Sequence, residues 1–298
     1  MVCERAREPR RDDPVAVFER HRQIQLRQRR WSTFLGGSLF LALLAASLAV
    51  GKVSPDALLK GLPDIARYVG DTVPPVSWET LGRDLGRWYW GLGRWLILLG
   101  DTIVVAFLGT LFGFAGAFLL CFPASRNLSR SATGYFIARR LLEVARTVPQ
   151  LVYALIFVCA FGLGPFAGML AVAVHSAGAM GKLFADVNEN SDHGPCDGVA
   201  AAGGSWAQII RYAVVPQVSP NFASYTLLRF EINVREASVL GLVGAGGIGE
   251  ELYLAVRQFE YTDISAIILL IIATVAVIDL ACEQLRHRLI GHDTLRMA

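Results

Sequence analysis

The chain has 298 residues, 54% of them hydrophobic, and its mean hydropathy is +0.45. A soluble chain carries about 45–50% apolar residues; here the excess is gathered into runs of about twenty, as in chains whose solvent is a bilayer. A formal charge of +3 is too small to suggest a nucleic-acid partner, and none is expected.

Residues 1–30 form a basic tail carrying Arg5, Arg7, Arg10, Arg11, Arg20, Arg22, Arg27, Arg29 and Arg30, without the apolar core of a cleaved signal. Residues 31–93 are read as a first membrane helix, near 32–50, and an external loop. In that loop Ser54-Pro55-Asp56 and Val76-Ser77-Trp78-Glu79-Thr80 are candidate helix starts. Trp88, Trp90 and Trp95 suit an anchor at headgroup depth. Residues 94–290 form the core, with spans near 96–122, 147–163, 166–186, 220–243 and 263–285, and 291–298 are a short tail. The turn Gly162-Leu163-Gly164-Pro165 separates the third span from the fourth. Each run is near the ~20 residues that cross ~30 Å of hydrocarbon.

Arg126, Arg130, Arg139, Arg140 and Arg146 follow the second span, and Arg286, Arg288 and Arg296 follow the last. With six helices these fall on the same side as the basic tail, so both termini are expected in the cytoplasm. Cys3, Cys121, Cys159, Cys196 and Cys282 lack metal-ligand or redox spacing. They are read as free thiols, and no metal site is expected.

Two glycine-rich phrases invite a nucleotide reading and do not sustain it. Gly244, Gly246, Gly247 and Gly249 fit G-x-G-x-x-G, with Asp263 downstream, but that fingerprint needs a preceding strand in a βαβ unit. At the end of an apolar segment these glycines suit a gate or close helix packing. Gly178 to Leu183 lacks the spacing and the closing Ser/Thr of a phosphate loop. Any ATP that drives this protein is therefore expected on another subunit.

Residues 187–219 make a long cytoplasmic loop between the fourth and fifth spans. Asp197 is placed to cap a short helix through Ala200 and Ala201, which Gly203-Gly204 would end. Ser205 is placed to cap a second helix reaching Pro216, the two crossing at right angles as a rigid knob.

This loop resembles the "EAA" coupling loop of bacterial ABC import permeases. Asp197 falls on its Glu, Gly198 on its Ala, Gly203 on its Gly, and Val214-Val215-Pro216 on its closing apolar-Leu-Pro. The neighbouring phrases Gly178-x-x-Gly181-Lys182-Leu183-Phe184, Arg211-Tyr212-Ala213-Val214-Val215-Pro216-Gln217-Val218 and Tyr225-x-x-x-Arg229-Phe230-Glu231-x-Asn233-Val234-Arg235 resemble phosphonate permeases, over roughly residues 95–290. Asp197 in place of Glu, and Ala200 where a basic residue is common, leave the strength of ATPase coupling open.

The resemblance implies an all-α membrane protein of about six transmembrane helices with the type I ABC importer permease fold, and a transport subunit rather than an enzyme. It implies a homodimer with the path on the two-fold axis and ABC ATPase subunits that bind ATP and Mg, this chain binding no cofactor. It further implies an extracytoplasmic phosphonate-binding protein and a place in the bacterial cytoplasmic membrane. Phosphite, phosphate or a small amino acid are the alternative cargoes within this class.

The fifth span carries Arg229, Glu231, Arg235 and Glu236, and each charge would cost about 2.5–3.5 kcal/mol at a helix centre facing lipid. Glu231 and Arg235 can pair at i,i+4, whereas Arg229 and Asn233 lie on a different face, nearer a substrate path that His175 and Tyr225 could also line. Mutual satisfaction of all four charges at the cytoplasmic end is preferred to path lining, and interhelical bonding to pore lining for His175 and Ser176. Two further classes compete: an ion-coupled secondary transporter, for which no internal repeat is visible, and a membrane hydrolase built on Ser176 or His175, for which Asp186 lies too near the cytoplasmic end.

Overall fold

The structure, a computed structural model, describes residues 14–51, 55–72, 74 and 79–294. Cys3, Arg5, Arg7, Arg10, Arg11, Ser54, Val76, Ser77, Trp78 and Arg296 lie outside the described residues. The chain divides into two units, Met1–Val69 and Gly70–Ala298.

In the first unit, α1 (Pro14–Val50) is one helix, so the second half of the expected tail is helical and continuous with the first span, Gln25–Val50. α2 (Pro55–Thr72) has Asp56 in its first turn and Pro63 inside it. Its apolar residues recur at Leu59, Leu62, Ile65 and Val69, the spacing of a one-sided helix.

Every regular element among the described residues of the second unit is a helix: α3 (Leu81–Trp88), α4 (Leu92–Ala124), α5 (Ala132–Thr147), α6 (Gln150–Phe161), α7 (Pro165–Glu189), α8 (Gly194–Ala201), α9 (Trp206–Ile209), α10 (Val215–Leu240), α11 (Ile248–Gln258) and α12 (Tyr261–Thr294). Among the described residues four helices are long and apolar enough to cross a membrane, or six spans if each of two bent pairs is one.

The central packing is α4 against α7. Small residues recur every fourth position on α4, at Gly109, Gly113 and Ala117, and this lets two backbones approach closely in a bilayer, where dispersion and not the hydrophobic effect drives association. A Cβ on Gly109 would sit 2.5 Å from Val172 Cγ1, and one on Gly113 2.8 Å from Ser176 Cβ. Towards the α8–α9 end, Cys121, Phe122, Met180, Phe184, Val214, Val218 and Phe222 form one cluster, with Phe184 and Phe222 stacked at 4.0 Å between ring centres. At the opposite end Trp95 and Leu99 pack with Ile248, Ile264 and Ile267.

The third span differs from its expected form. Within 147–163 the helix is α6 alone, 12 residues long and too short to cross by itself, and it meets α5 at 90°. Pro149 cannot donate to the preceding turn and forces Val148 into extended backbone (ψ 126°). The exposed Val148 carbonyl is taken by His175 Nδ1 at 3.0 Å. The Gly162–Pro165 turn is present, with positive φ at Gly162 and Gly164. Trp95 corrects the headgroup reading, being 1% exposed inside the protein. Trp88 and Trp90 instead tie α3 and its exit to α12, through Ser265 Oγ at 3.0 Å and Asp263 Oδ1 at 3.1 Å.

Candidate functional site

The loop 187–219 folds into a knob. α8 starts four residues earlier than expected, at Gly194, with His193 at the N-cap and Asp197 inside the first turn; Asp197 is therefore not its cap. Asp192 acts there instead, its Oδ1 accepting Gly194 N–H at 3.0 Å, as an Asx turn does. An acidic side chain in the first turn still complements the helix dipole. Gly203, at φ +80°, ends the helix, in the left-handed region where a Cβ is unfavourable. Asp197, Gly198, Ala201 and Ser205 are all exposed along this knob. Ser205 begins the second helix as expected, its backbone N–H donating to Gln208 Oε1 at 2.6 Å in a capping box. Trp206 pins the knob to the bundle by donating Nε1–H to Leu128 O at 2.8 Å, beneath the Arg130 guanidinium.

Pro216 does not stop the second helix. α9 passes through a π-helical turn, Ile210–Val214, directly into α10, with Val215 N–H reaching Ile210 O. The wider turn absorbs the missing proline N–H, as π-bulges do, and Pro216 stands where a first-turn proline is tolerated. The second knob helix and the span are one helix, Trp206–Val243.

Midway along α4, α7 and α10 lies a buried polar network. Asn233, fully buried, donates from Nδ2 to Thr110 Oγ1 at 2.8 Å and to Ser176 Oγ at 2.9 Å. Ser176 Oγ also accepts from Arg229 Nε at 3.2 Å. Thr110 passes its own proton to Ala106 O at 2.6 Å. Ser176 thus bonds between helices, as expected, and His175 does so at the α5–α6 bend.

All four charges of α10 have partners, within the helix and on α12. Arg229 Nη2 lies 3.5 Å from Glu236 Oε2. Glu231 pairs with Arg235, which also reaches Asp279 Oδ2 at 3.3 Å, while Arg286 lies 3.7 Å from Glu231. Thr110 and Asp279 were not singled out from the sequence, and Arg286 only as a charge following the last span. Asp279, an acid at the end of the last apolar run, was the available signal.

Tyr225, one turn from Arg229, borders a groove of about 440 Å³ together with Asn190, Gln217 and Asn221. Asp186 in that groove is engaged by Lys182 Nζ at 2.7 Å. The glycines at the far end of α10 turn the chain between α10 and α11. Gly244, Gly246 and Gly247 all have positive φ. A Cβ on Gly249 would fall 1.9 Å from Ser238 O, and Ile248 N–H donates to Thr102 Oγ1 at 2.9 Å.

Residues 109–290 match the family described as binding-protein-dependent transport system inner membrane component. The chain is 37% identical over 248 residues to the phosphite transport system permease protein PtxC of Stutzerimonas stutzeri, covering 83% of this chain and 86% of that protein. It is 43% identical over 122 residues, 41% of this chain, to the whole of the putative cryptic phosphonate transport system permease protein PhnE2 of Escherichia coli (strain K12). The fold is similar to that in the inward-facing MetNI methionine ABC transporter, with a TM-score of 0.58 at 20% identity, over 67% of this chain and 96% of that one. Such membership implies a membrane setting with ATPase and substrate-binding-protein partners. The chain belongs to the binding-protein-dependent transport system inner membrane component family, as a multi-pass permease subunit with the ABC importer fold.

Proposed function

We propose that this chain is one of two identical permease halves of an ATP-driven importer for small phosphorus oxyanions, phosphite and phosphonates foremost. It stands in the bacterial cytoplasmic membrane, with both termini and the α8–α9 knob in the cytoplasm. ATP and Mg bind the two ATPase subunits, and an extracytoplasmic oxyanion-binding protein delivers cargo. Closure of the ATPase pair displaces the knobs, and alternating access follows as α10 moves with them.

The observation that carries the coupling is the continuity of the second knob helix with the span in one helix, Trp206–Val243, since a helix without a loop at that junction passes displacement on instead of absorbing it. The cargo class is supported by the likeness to PtxC over 83% of the chain. The test is uptake of labelled phosphite and methylphosphonate by liposomes holding this chain and its ATPase, with the binding protein outside. ATP-dependent uptake of either is the expected result. Uptake that follows an ion gradient and ignores ATP would sink the proposal.

A further inference from the structure

The two arginines of α10 are held differently. Arg235 belongs to a closed set, two guanidiniums and two carboxylates, that ties α10 to α12 through Glu231, Asp279 and Arg286. Arg229 is anchored on one side only. Its Nε donates to Ser176 Oγ, which the Asn233–Thr110 pair fixes in turn. Its Nη2 faces Glu236 Oε2 at 3.5 Å, beyond the 2.7–2.9 Å typical of a charge-assisted hydrogen bond. Both of those atoms are buried and have no hydrogen-bond partner among the described residues. Arg229 is thus an oriented guanidinium whose outer edge meets a counter-charge without bonding to it.

Helical spacing sets where that edge points. Asn233, Val234 and Ala237 are buried against the bundle. Tyr225, Arg229 and Glu236, at i, i+4 and i+11, line one side of the helix, with Asn233 beside Arg229 at its edge towards the bundle. Tyr225 borders the polar groove towards the α8–α9 end, and the Glu236 side chain is 40% exposed. Arg229 and Glu236 thus stand on the side of α10 that carries, one turn nearer the α8–α9 end, the groove-lining Tyr225.

We propose that Arg229 is the cargo-contacting cation of this permease and that Glu236 is its resident counter-ion, displaced by an arriving oxyanion and returning when cargo leaves. The proposal rests on the transport reading above. A guanidinium fork suits two oxygens of a tetrahedral phosphorus oxyanion. Exchange of one anion for another keeps a buried cation from standing unpaired, and keeps the net hold on cargo weak enough for release. Two copies of the chain would present two such forks, matching the charge of a dianion.

The test uses the permease–ATPase complex with its binding protein in liposomes, and inorganic phosphite as probe. Arg229→Gln is expected to lower uptake at least about tenfold. The charge-neutral double variant Arg229→Gln/Glu236→Gln is expected to stay equally low. Glu236→Gln alone is read by phosphite-dependent thermal stabilisation of the detergent-solubilised complex. Its half-saturating phosphite concentration is expected about tenfold below the wild type's, because the resident competitor is gone. Recovery of uptake in the double variant would overturn the proposal, since the pair would then be a structural ion pair only. Equal half-saturation for Glu236→Gln and wild type would overturn it as well, and decides the matter if the double variant does not assemble. Failure of the wild type to take up phosphite, phosphate or methylphosphonate with ATP overturns the transport reading itself, and this inference with it.

Discussion

Gly203 gives the sharpest test of the knob as a coupling element. It sits at φ +80°, yet nothing lies within 4 Å of where its Cβ would be. Gly203→Ala therefore meets no steric obstacle, and its penalty is that of an L-residue in left-handed backbone, about 1–2 kcal/mol. α8 buries none of its residues, so little else holds the turn, and the penalty falls on the population of the docking geometry. That population should drop about 5–30-fold. The ATPase concentration giving half-maximal hydrolysis in a titration against the permease should rise by the same factor. Gly203→Asn should do less harm, because asparagine tolerates this region. Gly204→Ala should do at least as much, since its Cβ would meet the Val199 carbonyl oxygen at 2.8 Å. Alanine at 203 indistinguishable from glycine, or asparagine as damaging as alanine, would refute the reasoning.

Asn233→Ala should lower unfolding stability in detergent by about 1–2 kcal/mol, at about 0.6 kcal/mol per membrane hydrogen bond plus a small cavity; an unchanged melting temperature would mean that the network does not hold α4, α7 and α10 together. Gly249→Ala should overpack the α10–α11 turn by about 1–3 kcal/mol or more, seen as loss of the monodisperse peak on size exclusion. Gly198→Ala, with open space around its Cβ, should instead stabilise α8 by up to about 1 kcal/mol, read as a lower half-maximal ATPase concentration. The Cys196 thiol is pushed up by burial and by the Asp197 and Asp192 carboxylates. Its alkylation by iodoacetamide should therefore run slower at neutral pH than that of a free cysteine, climb through and beyond about pH 8.5, and be blocked by bound ATPase.

The sequence made plain what depends on local chemistry. The apolar runs marked α4, α7 and α12, and the Ser205 start of the second knob helix followed from capping alone. The bend at Pro149 was missed because the charged helix before it, Ala132–Thr147, does not look like part of a span. Pro216 was taken as a stop because proline removes an i→i−4 bond; the π-turn that removes the same bond by other means leaves no sequence signature. The Glu231–Arg235 pair could be read from i,i+4 spacing, whereas Arg229–Glu236, two turns apart, could not. Asp279 and Arg286 could not, because they lie on a helix that only the tertiary fold brings alongside.

At about 1.5 Å per residue the helix Trp206–Val243 is about 57 Å long. Pivoting at the knob through about 5° would carry its far end sideways by about 5 Å, nearly the pitch of one helical turn. A lever of that length allows a modest tightening of the ATPase pair to open or close an aperture the size of a hydrated anion, and it places the largest excursion beside the glycines at 241–249, whose close packing of α10 on α11 hands the movement to the next helix.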